Sequence, residues 1–161
     1  TEIYTLSLHD ALPILTVHVI MVAINFDSEG RIQMLQDDFI LRQIREMVHA
    51  VMKMLFQVSA SELTPEVIED STARTTLENL IALTDEGKID EAENQLYEMT
   101  CDGDRQNLEI GLLFYYNLNG KDDDFLEAHN FSREEIMTGI QDLADRYQLS
   151  GIAEAFRTEI L

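Results

Sequence analysis

The chain is predicted to be all-α, with about six or seven short helices arranged as antiparallel hairpins around a long first helix. Three observations lead there. Apolar residues recur at spacings of three and four in one segment after another. Helix start and stop signals separate those segments. From residue 34 onward no stretch alternates with the two-residue period of a half-buried strand. At 161 residues and 45% hydrophobic content the chain suffices for one domain with a real core.

The longest periodic segment is 34–56. Ile40, Ile44, Met47, Val51 and Leu55 fall on one helical face, and Leu41, Val48 and Met52 widen it into a face that other helices must cover. Asp37 and Asp38 suit the positive end of the helix dipole. The polar side carries Arg42, Arg45, His49 and Lys53, a basic stripe. Three acids (Asp37, Asp38, Glu46) balance three bases (Arg42, Arg45, Lys53), so this segment is neutral in a chain of net charge −20. As a solvated face, the stripe pairs with acidic neighbours. As a functional face, it docks an acidic partner.

After a linker at 57–67, broken by Pro65, a second helix is expected at 71–85 with Leu77, Leu80, Ile81 and Leu83 inward and Gly87 as its left-handed stop. A third opens with Asp90 as N-cap and Glu93 in a capping box, and packs through Ala92, Leu96, Tyr97 and Met99. The fourth, 105–117, buries Leu108, Ile110, Leu112, Leu113, Phe114 and Tyr115, and Asn119-Gly120 ends it. A short fifth helix spans 122–129. The sixth has the clearest start in the chain, with Ser132 as N-cap, Glu135 at N3 and Phe131 with Ile136 as hydrophobic staple. Ser150 caps a last helix containing Ile152, Ala155, Phe156 and Ile160.

Residues 1–14 resemble the in-frame translation of a common DNA-sequencing library adapter, and Glu29-Gly30-Arg31 matches the coding of a purine-rich, bacterial ribosome-binding sequence upstream of Met34. The expected organisation is therefore a non-native leader at 1–33 and a single helical domain at 34–161; the alternative for 17–24 is a genuine buried strand or helix. Residues 80–97, with Gly87, Glu91 and Ala92, resemble one tetratricopeptide-type hairpin, in which small Ala92 permits close helix approach. The span 34–161 resembles a family of short, acidic, uncharacterised bacterial proteins, through Met34, Asp38, Phe39, Ile40, Arg42 and Ile44 and through the stretch 124–136. That resemblance implies a helical, cytoplasmic protein and carries no activity with it.

The strong negative charge opposes binding to nucleic-acid backbones. Cys101 stands alone, which excludes a disulfide framework and fits a reducing cytoplasm, and no apolar run reaches membrane-span length. No phosphate loop, nucleophile elbow or zincin motif occurs. His129 with Glu134 and Glu135 is a conceivable metal set, but a solvated histidine beside a capping box is the simpler reading. No catalytic residue, cofactor or metal is expected. The expected function is a non-catalytic helical protein-interaction module, with Arg42, Arg45, His49 and Lys53 as its face, a protein partner and self-association through the first helix. The alternative is a small-molecule or lipid-binding helical domain, in which Phe114, Tyr115, Tyr116 and Met47, Met52 and Met54 line a pocket.

Overall fold

A computed structural model of the chain describes residues 35–149 and Gly151. The leader at 1–33 and the helix expected after Ser150 lie outside the described residues. Among the described residues every regular element is helical, and the chain is all-α.

The first helix, α1, covers residues 35–51 and runs on into a π-helical turn at Met52–Phe56, ending where Gln57 takes φ 59°. It buries Ile44, Met47, Val48, Val51 and Met52, while Ile40 and Leu55 lie at the edge of the core. A 3-10 turn, Pro65–Val67, leads into α2, Ser71–Asp85. Asp70 caps α2 by accepting from the Ala73 N–H at 2.8 Å.

Gly87 ends α2 at φ 78°, with its N–H on the Thr84 carbonyl at 2.8 Å and the Lys88 N–H on the Leu83 carbonyl at 2.9 Å. These two bonds satisfy carbonyls that the helix end would otherwise leave unpaired. The turn is so tight that α3, Ile89–Met99, begins with Lys88 as N-cap and without a side-chain cap bond. The expected Asp90–Glu93 capping box therefore does not form: Asp90 already lies inside the first turn, and the Glu93 carboxylate is drawn to another helix. Ala92 is fully buried in this hairpin. Tyr97, expected inward, is 56% exposed.

A 3-10 turn, Thr100–Asp102, connects to α4, Arg105–Asn119, capped by Asp104. α4 is buried on nearly every side, from Leu108 through Asn119, and packs against α2, α3, α6 and the π-helical turn. An apolar residue at almost every position needs neighbours all round. α1 thus supplies one wall of the core and α4 its centre. Burying one such side chain, for example Phe114, contributes about 1.5–3 kcal/mol.

The short α5, Asp123–Ala128, is capped by Asp122, and α6, Arg133–Arg146, opens with the expected capping box between Ser132 and Glu135. The first residue of α6 is the main polar element of the core. Arg133 is 5% exposed. Its guanidinium donates to the Asn119 backbone carbonyl at 2.8 Å, the Asn119 side-chain oxygen at 3.2 Å, the Lys121 carbonyl at 3.0 Å and the Asp123 carboxylate at 2.9 Å. The Asn119 amide in turn donates to the Leu41 carbonyl of α1 at 3.0 Å. One planar fork thus closes the C-terminus of α4, positions α5 and ties both to α1.

Candidate functional site

Two surfaces carry concentrated chemistry. The first is the outward side of α1. Arg42 and Lys53 stand exposed, flanked by exposed Phe39 (48%) and Met54 (55%). Arg45 is exposed as well, but it and the half-buried His49 are engaged by neighbouring side chains. The Arg45 guanidinium lies 3.5 Å from the Glu62 carboxylate, donates to the Tyr116 hydroxyl at 3.4 Å and sits 5.7 Å from the Tyr116 ring centre. His49 meets the same ring edge-on at 5.3 Å. Tyr116 therefore draws half of the basic stripe into contact with α4. Arg42 and Lys53 remain presented to solvent.

The second is a cleft of about 380 Å³ between α3 and α6, floored by Tyr115 of α4. Asp90, Glu93 and Tyr97 line one wall, and Glu135, Asp142 and Arg146 the other. The Tyr115 hydroxyl donates to Glu93 at 2.9 Å. Its ring lies directly against the backbone of Gly139, where any Cβ would overlap it. Burial pushes the Glu93 carboxyl above the usual range, the Tyr115 hydrogen bond opposes that, and the charges of Asp90, Glu135 and Asp142 add to it. Burial and the adjacent Glu93 charge push Tyr115 far up, so it stays a neutral donor. Arg146 is the one base lining the cleft. Its guanidinium stacks 4.1 Å from the Tyr97 ring centre and donates to the Thr100 hydroxyl at 2.5 Å.

Of the residues of the pocket expected from sequence, Phe114, Tyr116, Met47 and Met52 are buried in the core, Met54 is exposed and Tyr115 floors the cleft between α3 and α6. His129 takes a structural position. Its Nδ1–H donates to the Phe125 carbonyl at 2.7 Å, its ring packs on Phe125, and it lies against the Cα of Gly87. Glu135, its supposed co-ligand, is occupied by the Ser132 N–H at 2.8 Å. Among the described residues no three of His, Cys, Asp and Glu converge as a metal site, and no helix is long and apolar enough to cross a membrane.

A family model described as a family of unknown function, DUF6483, matches residues 34–148. The chain belongs to that family. The matched span includes both surfaces and the Arg133 network. No curated protein and no solved structure matches the chain.

Sequence reasoning singled out α1 but missed Arg133, Asn119 and the Glu93–Tyr115 pair. For Arg133 a signal existed, since an arginine directly after the Ser132 cap is an unfavourable charge at a helix N-terminus and needs compensation. Glu93 and Tyr115 lie 22 residues apart on different helices, and no sequence spacing announces their pairing.

Proposed function

We propose that this protein is a non-catalytic helical interaction module that docks an acidic segment of a partner protein on the outward face of α1. The observation that carries the reading is that Arg42 and Lys53 stand exposed near Phe39 and Met54, on a charge-balanced helix of a chain with net charge −20. Elsewhere the surface repels an acidic partner. At physiological salt charges are screened beyond about 8 Å, so the local field of α1 governs docking. The two exposed apolar side chains supply area that leaves water on binding. The α2–α3 hairpin, with its buried Ala92 and Gly87 turn, supports a tetratricopeptide-like scaffold role behind that face. The test compares capture from a native lysate by the full chain and by its Arg42→Glu/Lys53→Glu variant. A partner held by the first and lost by the second supports the reading. A partner held equally by both defeats it.

The cleft between α3 and α6 favours a second reading, a domain that binds a small molecule there. Its polar, carboxylate-lined walls fit a cationic ligand and do not fit a lipid. Native mass spectrometry of the purified chain distinguishes the two: a bound mass lost on Tyr97→Ala supports the cleft, and the bare chain mass counts against it.

A further inference from the structure

The cleft has a property independent of what it binds. We infer that the Glu93–Tyr115–Gly139 junction is a proton-responsive latch, holding α3 and α6 apart while Glu93 is ionised and letting them close over Tyr115 when it is neutral. The geometry supplies each part. Among the described residues α6 packs mainly on α4 and α3 mainly on α2, and the two meet each other at most thinly, so no direct seam between them fixes the width of the cleft. What lies there is a half-buried carboxyl whose one strong donor is the Tyr115 hydroxyl at 2.9 Å. The same tyrosine ring is seated on Gly139 of α6, so a shift of Glu93 passes to α6 through one rigid side chain.

The charged and titratable groups facing Glu93 are Asp90 on its own helix, Tyr115 on α4, and Glu135, Asp142 and Arg146 on α6. Arg146 is held by Tyr97 and Thr100, and the charges that act on Glu93 are those of Asp90, Glu135 and Asp142. Glu135 is fixed in its capping box and does not swing away. When Glu93 gains a proton, its carbonyl oxygen still accepts from Tyr115, while its repulsion from Asp90, Glu135 and Asp142 disappears. The hydrogen bond persists and the force that holds the walls apart falls. The raised proton affinity of Glu93 is the same coupling seen from the proton's side.

The test is an NMR titration of the full chain from weakly alkaline to weakly acid pH. It follows the Glu93 carboxyl carbon and the backbone amides of Thr138, Gly139 and Asp142, with Glu93→Gln as the fixed-neutral variant. The expected result is one shared midpoint for Glu93 and the α6 amides, above the ordinary carboxylate range. In the variant the amides sit at their acid-side positions throughout. At neutral pH the variant also shows slower amide exchange in α3 and α6 than the wild type, a difference that vanishes on acidification. Amides of α6 that ignore the Glu93 midpoint, or a Glu93 that titrates in the ordinary range, overturn the inference. Because the variant leaves α1 untouched, loss of the proposed docking on α1 and failure of this latch are read out separately.

Discussion

Replacing Arg133 by methionine tests the structural reading most severely. The substitution keeps the length and apolar stem of the side chain and removes every donor. Four acceptor groups lose their partner, but not equally. Asp123 is 55% exposed at its side chain and regains water, and Lys121 lies near the surface. Asn119 is 1% exposed, so its backbone carbonyl, at the last turn of α4, and its side-chain oxygen stay dry. Each buried acceptor left unpaired costs about 1–3 kcal/mol. With the charge-assisted bonds to Asp123 also gone, the loss is about 3–5 kcal/mol, in the range for breaking a buried charged network by removing one partner. At about 4 °C per kcal/mol for a domain of this size, Tm falls by about 12–20 °C. Arg133→Lys retains the charge but cannot reach all four acceptors from one nitrogen, and is expected to lose about 2 kcal/mol. The assay is urea unfolding followed by circular dichroism, in which the midpoint drops while the m-value stays constant. A methionine variant within about 1 kcal/mol of wild type would show that the fork is not what secures α4, α5 and α6.

Three further substitutions have definite expected outcomes. Gly87→Ala places a Cβ both at φ 78° and inside the His129 ring, and is expected to cost about 2–3 kcal/mol in thermal unfolding; pairing it with His129→Ala should recover only the steric share. Gly139→Ala sets a Cβ 2.6 Å from the Tyr115 Cε1, so about 1–3 kcal/mol is lost and the Glu93 hydrogen bond should be displaced, visible in the Tyr115 ring resonances. Glu93→Gln should stabilise the fold at neutral pH. The sign follows from its raised proton affinity: an ionised Glu93 destabilises the native state, and wild-type stability returns as pH falls through the raised range toward the ordinary carboxylate value. Urea midpoints of the two proteins should therefore converge on acidification, and parallel curves would contradict this.

Much of the fold was legible because it rests on local rules. The Ser132–Glu135 capping box, the Gly87 stop, the inward residues of α1 and α4, and Leu77 and Leu80 of α2 follow from short-range patterns, and the structure has them, with Ile81 and Leu83 only partly buried. The start of α3 escaped because two signals competed. A capping-box pattern at Asp90 and Glu93 lost to the tight Gly87 turn, which had already begun the helix at Ile89. Tyr97 was misplaced because its helical position permits either side, and a long-range partner, Arg146, chose solvent. The basic stripe was legible as a spacing. That Tyr116 would engage Arg45 and His49 while leaving Arg42 and Lys53 exposed depends on α4 crossing α1, which no local pattern encodes. The cleft was invisible for the same reason, since its walls come from three helices.

The most direct test of docking on α1 is site-specific photo-crosslinking in native lysate, with a benzophenone side chain placed at Phe39 or Met54 of the full chain and, as a control, at Asn94 in the cleft. The expected result is a discrete protein adduct from the α1 positions, absent from the control and abolished when Arg42→Glu/Lys53→Glu is introduced. Adducts that form only from Asn94, or that persist unchanged in the charge-reversed variant, would contradict α1 as the docking face.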